Sequence, residues 1–287
     1  IYENFPNSAS LIQGNKFFNH SGQIFSRNGK NNSIYIYSNE FNNQSDFGEI
    51  KNCVHISNST NLGAEINQNN TFNISGVPNS VRSIEIYDCP YNLLKIDENT
   101  FNQNTKGDNG HVPISITNCT PQNDFGFFRN NILNSNEKGT CWLTNSPKLV
   151  CLYNESKVKG SKFYQLNSNE LFFKGNTNVN TAEQDFLFSN IGTNSKYCCN
   201  TSNSINGKTF DFVGGGNENV KFVGNQLNSL ELPNGTIIGQ QPSHGNIFSA
   251  TSLARATTFS GSTYFEANQF NVDPSHSGFR PVTIDPS

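Results

Sequence analysis

Three side chains are placed to do acid–base chemistry: His55, Glu85 and Asp88. Cleaving a glycosidic bond usually takes two carboxyl groups, ~5–5.5 Å apart for retention of configuration and ~6.5–9.5 Å apart for inversion. Glu85 and Asp88 are the best local pair, but three residues of extended chain separate them by ~10 Å, and alternation turns their side chains apart. His55 precedes Glu85 by 85−55=30 residues, so a repeat of that length sets the two side by side. Elimination chemistry would instead need a base near a neutralised uronic carboxylate, a role open to Arg82, Lys95 or Arg129, which nothing in the sequence aligns. No Gly-x-Ser-x-Gly is present, so no nucleophile-elbow triad is read. The loop-like Gly107-Asp108-Asn109-Gly110-His111 fixes no site.

What must position these residues is a unit that recurs along the chain. Its first half alternates apolar and polar residues: Val54-His55-Ile56-Ser57-Asn58, then Ile84 to Asp88, then Ile114 to Asn118, at steps of 88−58=30 and 118−88=30. We read looser copies at Val150 to Asn154, Tyr197 to Asn200 and Leu230 to Asn234. The second half runs apolar, two others, Asn, any residue, then Phe or Leu. It recurs at Ile12 to Phe17, Ile36 to Phe41, Ile96 to Phe101, Phe128 to Leu133, Leu166 to Leu171, Phe222 to Leu227 and Phe265 to Phe270, with Asn70-Thr71-Phe72 as a partial copy. The local period is 2, never the i, i+3, i+4 of a helix, and β-branched and aromatic residues fill the strand positions. Repeated short strands that cannot bury an apolar face alone mean a stacked coil. Asn fills roughly one position in six, which suits left-handed turns and a hydrogen-bonded ladder of equivalent side chains.

On these residues the chain resembles the right-handed parallel β-helix superfamily of pectate lyases and phage tailspikes, an all-β solenoid here with coils of about 30 residues. The motif concerns the fold rather than the chemistry. The calcium-binding Asp clusters and the Asp-pair and Gly-His-Gly signatures of known β-helix pectinases are absent. We expect a β-helix over residues 1–235 and a C-terminal coil, cap or oligomer contact over 236–287, where Gly, Ser, Thr, Gln and Ala take over. A looser region over 136–210, holding Lys157, Lys159, Lys162 and Cys198-Cys199, is where a groove-forming insertion is expected.

If the Ile, Val and Leu of each first half face inward, then Tyr35, His55, Glu85, Ser115, Cys151 and Glu231 face outward along one line, with Tyr37, Tyr87 and Tyr153 along the next. Such a surface suits sugars, whose apolar ring faces stack on Tyr and whose hydroxyls need carboxylate, amide or imidazole partners. Tyr35, Tyr37, Tyr87 and Tyr153 are therefore the glycan-binding candidates, and His55, Glu85 and Asp88 the catalytic ones. The plain alternative is a solvent-facing sheet whose tyrosines merely cover the stack. Asp88, in the ladder position of Asn58 and Asn118, has a structural role open to it as well.

Composition narrows the partners. Across 287 residues the net charge is −3 with Lys and Arg scattered, so no electrostatic footprint for nucleic acid exists. No run approaches the ~18 apolar residues of a spanning helix, so no membrane insertion is expected. With no Met anywhere, the chain is expected to be a processed product or a portion of something larger. The seven Cys show no Cys-x-x-Cys, so neither a metal nor another cofactor is expected. Cys89 and Cys119 would stack on adjacent coils within disulfide range, although a column of reduced thiols is the reading we prefer. Asn-x-Ser/Thr triplets such as Asn73-Ile74-Ser75 are the chance product of an Asn-rich chain. Three functions follow. The first is a surface glycan-binding protein of tailspike type, extracellular or on a virion surface, homotrimeric, with polysaccharide depolymerase activity as an option. The second is a non-catalytic structural fibre or adhesin, and the third is a secreted polysaccharide lyase or hydrolase.

Overall fold

The computed structural model describes residues 2–3, 6–18, 24–44, 52–75, 82–104, 113–135, 139–156, 162–167, 170–178, 184–189, 196–202, 208–213, 221–223, 226–227, 230–231, 243–244, 247–250, 258–259, 265–266, 269–272 and 283–284. Among the described residues every third strand up to Leu230–Glu231 and Gln269–Val272 falls in the same sheet, giving three all-parallel sheets of 10, 11 and 11 strands, the arrangement of a parallel β-helix, beside a two-stranded parallel pair near the C-terminal end. The first sheet holds Ile24–Arg27, Val54–Ser57, Ile84–Tyr87 and Ile114–Thr117; the second holds Ser33–Tyr37, Leu62–Asn67, Tyr91–Asp97 and Gly126–Arg129; the third holds Glu40–Gln44, Thr71–Ser75, Thr100–Asn104 and Ile132–Ser135.

Alternation decides which side chains fill the coil. In the first sheet Ile24, Val54, Ile84 and Ile114 align in register and are buried, as expected for the inward face. The second sheet contributes Ile12, Ile36, Ile66, Ile96 and Phe128 to a matching interior column. In the third, Phe17, Phe41, Phe72 and Phe101 stack face to face at 4.9, 4.6 and 4.9 Å between ring centroids, one ring per coil. The strand spacing of ~4.8 Å is near the stacking distance of aromatic rings, so the coil repeat itself sets this geometry.

The Asn of the second-half motif forms the corner between the second and third sheets. Asn15, Asn39, Asn70, Asn99, Asn131, Asn154, Asn176 and Asn200 run in one column, each Nδ2 donating to the Oδ1 of the next at 2.9–3.2 Å. From Asn39 onward each Nδ2 also donates to a backbone carbonyl of the preceding coil at 2.8–3.2 Å. A sharp corner would strand backbone groups inside the protein, and the amide supplies their partners. The residue before each ladder Asn takes the left-handed turn, with φ from 51° to 67° at Gly14, Ser38, Asn69, Glu98, Asn130, Tyr153, Gly175 and Cys199. Turn and ladder are thus separate residues here. At the corner after the first sheet they coincide: Asn58, Asp88, Asn118 and Asn145 have φ of 47–54°, and Asn145, Asn118 and Asp88 are linked by exposed side-chain hydrogen bonds of 3.0 and 2.8 Å.

Several expectations need correction. Val150 to Asn154 and Tyr197 to Asn200 are second-sheet copies leading into the buried ladder, not first-sheet copies. Leu166 lies in the first sheet, opposite Leu143, so Leu166 to Leu171 is out of phase with its motif. The 30-residue coil holds from Ile24 to Ile114 (54−24, 84−54 and 114−84 are each 30), then contracts, with 151−128=23 and 173−151=22. The connection from third sheet to first drops from nine residues (45–53) to three (136–138), and third-sheet strands shorten from five residues to two. Described strands across 136–210 therefore continue the three sheets with shorter connections, where an insertion was expected; Lys157 and Lys159 lie outside the described residues. Ser243–His244 and Phe265–Glu266 extend the second sheet and Ile247–Ala250 and Gln269–Val272 the third, while Thr258–Phe259 pairs with Thr283–Ile284. Cys89 and Cys119 are free and buried, their thiols donating to the Tyr87 and Thr117 carbonyls at 3.1 and 3.2 Å.

Candidate functional site

Two outward faces carry chemistry. On the first, His55 and Glu85 stand directly opposite each other on adjacent strands, because Val54, Ile56, Ile84 and Ile86 take the inward positions. His55 Nδ1 lies 2.8 Å from Glu85 Oε2, which also accepts from Asn52 Nδ2 at 2.6 Å, while Oε1 accepts from Arg82 Nη1 at 2.8 Å. The Arg82 backbone N–H in turn donates to Asn52 Oδ1 at 2.7 Å. The hydrogen bond from His55, with Arg82 and Asn52 behind it, holds the Glu85 carboxyl below the usual carboxylate range against the opposing effect of burial. A carboxylate can only accept, so Nδ1 carries a proton and donates to Glu85, and Nε2 lies 3.1 Å from Ser57 Oγ. The other face of the imidazole stacks on Phe25, centroids 4.7 Å apart and planes within 8°.

Asp88 does not join this group. It sits at the strand end in the left-handed turn, accepting from Asn118 and from the Tyr87 hydroxyl, whose pKa that hydrogen bond first and the Asp88 charge second push up. With both Glu85 oxygens engaged and its proton affinity lowered, Glu85 cannot supply the proton a general acid must give up near neutrality.

The second face belongs to the second sheet, and here the expected single line breaks up. Tyr35 is in register with Glu65, Glu65 with Lys95, and Lys95 with Phe127. Tyr35 therefore does not share a row with His55 and Glu85. Cys151 points inward between Phe128 and Phe173 and is buried. Ser115 keeps its place beside Glu85 but is covered, bonded to Thr117 Oγ1 at 3.3 Å. Glu231 stays in the first sheet beside Asp211, its side chain outside the described residues. Of the four candidate tyrosines, Tyr35 and Tyr37 are neighbours on this face, ring centroids 6.0 Å apart at 55°. Tyr87 stands on the first sheet. Tyr153 occupies a corner, its ring lying over Gly175, where an added Cβ would meet it at 2.6 Å.

Glu65 gathers this face. Its Oε2 accepts from Asn67 Nδ2 at 3.1 Å, from the Tyr37 hydroxyl at 3.4 Å and from Lys95 Nζ at 3.5 Å. Burial first, then the Glu65 charge, raises the Tyr37 pKa and keeps the phenol protonated as a donor. In the parallel row Asp97 is nearly covered and is held by Arg129 Nη2 at 2.6 Å and Asn130 Nδ2 at 3.0 Å. Arg129 also lies over the Phe127 ring, 5.1 Å from its centroid. Sequence reasoning missed Glu65 and Asn67. The 30-residue step from Tyr35 leads straight to Glu65 and Lys95, a signal hidden when Tyr35 is phased with His55.

The class these features define is a parallel β-helix with one aromatic and carboxylate face and one imidazole and carboxylate face. No protein-family model matches the chain, and no curated protein matches its sequence. Among solved structures, the mannuronan C-5 epimerase AlgE6 A-module of Azotobacter vinelandii is 11% identical, with a TM-score of 0.48 over 96% of this chain and 89% of that one. The mannuronan C-5 epimerase AlgE4 A-module of the same organism is 10% identical, with a TM-score of 0.44 over 96% and 91%.

Proposed function

We propose that the protein binds a polysaccharide along the outward face of its second sheet, as a surface-exposed β-helix protein of tailspike type. The observation that carries this is the cluster of Tyr35, Tyr37, Glu65 and Lys95 on successive coils. Two half-buried aromatic rings offer stacking surface for apolar sugar faces, and a partly exposed carboxylate and ammonium on the next two coils offer an acceptor and donors for hydroxyls. Binding is favoured over hydrolysis because the other carboxylate nearby, Asp97, is consumed by Arg129 and Asn130. Strand repetition at ~4.8 Å presents these groups along a line, which suits a chain ligand better than a small molecule. The reading places the protein outside a cell or on a virion surface, as a homotrimer, which sedimentation equilibrium tests. Screening against capsular and cell-wall polysaccharides should give a binder, and Tyr35→Ala should weaken it at least fivefold, the stacking contribution of about 1 kcal/mol. Unchanged affinity in Tyr35→Ala and Tyr37→Ala would move the ligand elsewhere.

A further inference from the structure

We propose that Ser57, His55 and Glu85 form an acyl-transfer centre on the first sheet that hydrolyses small carboxylic esters. The three side chains make one continuous hydrogen-bonded chain: Ser57 Oγ to His55 Nε2 at 3.1 Å, and His55 Nδ1 to Glu85 Oε2 at 2.8 Å. Those contacts assign nucleophile, base and orienting carboxylate in the order that activates a serine, whatever fold carries it. A motif search could not see it. Ser57 and His55 are two residues apart on one strand, and Glu85 arrives from the next coil.

The surroundings hold the base in its working state. Glu85 is a positioning residue, fixed by Arg82 and Asn52 so that its Oε2 fixes the Nδ1–H tautomer. Phe25 stacks on the imidazole and blocks its rotation. Arg27 lies over the same Phe25 ring, 4.8 Å from its centroid, and is in register with Ser57 on the preceding strand. One strand spacing of ~4.8 Å separates the Arg27 and Ser57 backbones, and a change of rotamer takes the exposed guanidinium off the Phe25 ring toward an oxyanion on Ser57. Ser57 is itself only 2% exposed, flanked in register by Arg27 and Tyr87. Both flanking residues are exposed, and exposed side chains change rotamer within nanoseconds, so access needs no backbone motion.

The reaction balances with water as the only co-reactant. Ser57 Oγ attacks the ester carbonyl carbon as its proton passes to His55 Nε2, and the oxyanion of the tetrahedral species meets Arg27. The carbon–oxygen bond to the alcohol then breaks, and the leaving alcohol takes the proton from Nε2. Water, giving its proton to Nε2, attacks the acyl-Ser57 carbon, and the carboxylic acid leaves as Ser57 regains its proton.

The centre lies on a different sheet from the tyrosine cluster and does not depend on glycan binding. The test is to treat the full chain with diisopropyl fluorophosphate at neutral pH, locate any adduct by tandem mass spectrometry, and follow p-nitrophenyl acetate hydrolysis. Expected is one phosphoryl adduct, formed with loss of fluoride, on Ser57 and a parallel loss of turnover. Ser57→Ala should lower turnover at least a hundredfold, and Glu85→Gln should lower kcat more than tenfold at unchanged KM. Absence of a Ser57 adduct on the wild-type chain, which needs no variant to fold, would overturn the proposal, as would equal turnover by Ser57→Ala.

Discussion

Replacing Asn99 by Ala tests the physical basis of the coil. Asn99 is 1% exposed. Its Oδ1 accepts from Asn70 Nδ2 at 2.9 Å, and its Nδ2 donates to the Ile66 carbonyl at 2.8 Å and to Asn131 Oδ1 at 3.1 Å. Truncation removes these three bonds while the backbone N–H keeps its bond to Asn131 Oδ1. Asn70 Nδ2 retains the Ile36 and Asn67 carbonyls, so the group most exposed to loss is the Ile66 carbonyl. At about 0.5–1.5 kcal/mol per bond the expected cost is about 2–4 kcal/mol. Asn102→Ala is the control. Asn102 also sits in a ladder, donating to Asn73 at 2.8 Å and accepting from Asn134 at 2.9 Å, but on the half-buried outer face of the third sheet, where water replaces its partners; about 1 kcal/mol or less is expected there. Urea unfolding followed by far-UV circular dichroism reads both, as a change in midpoint at constant slope. Equal losses from the two variants, or less than about 1 kcal/mol from Asn99→Ala, would refute a ladder that stabilises through buried bonds.

Phe101→Ala should cost about 3–5 kcal/mol, because it empties a fully buried ring position stacked on Phe72; Ser115→Ala, which removes a hydroxyl bonded to Thr117 at 3.3 Å, should stay within about 1 kcal/mol in the same assay. Glu85 has a lowered folded-state pKa, so its contribution is fully present above the ordinary carboxylate range and disappears as pH falls through the lowered value; the stability gap between wild type and Glu85→Gln should close toward strong acid, and a gap independent of pH would contradict the network. Exposed Cys199 should react with a thiol reagent on the native chain, while Cys53 and Cys151, buried thiols whose pKa burial pushes up, should react only on unfolding. Labelling of Cys53 or Cys151 at the rate of Cys199 would place them outside the core.

Much of the fold was legible because alternation and the Asn motif are local. Val54, Ile84 and Ile114 could be stacked from sequence, and Ile96 to Phe101 correctly linked an apolar strand end, a corner and a buried ring. What failed was assignment of corners. Val150 to Asn154 reads like a first-sheet strand because strands of both sheets end in a left-handed residue near an Asn, and local pattern cannot say which corner is being turned. The shift from 30 to about 22 residues per coil lies in shorter connections, whose residues contribute nothing to the apolar period, and in third-sheet strands cut to two residues, too short to show one. The candidate site was half legible for the same reason. His55 beside Glu85 followed from the repeat, whereas Ser57, Asn52 and Arg82 went unread although the same 30-residue step joins Asn52 to Arg82 and the two-residue step joins His55 to Ser57. Tyr35 was set in the wrong row, so Glu65, the centre of the second face, went unread.

Hydroxyl-radical footprinting of the chain with and without a polysaccharide that it binds locates the ligand most directly. Tyr35 and Tyr37 should be protected together when the ligand is present, while Tyr87 on the first sheet and Tyr153 at the corner oxidise at unchanged rates. Protection of Tyr87 or Tyr153 with Tyr35 and Tyr37 unaffected would contradict a ligand on the second sheet.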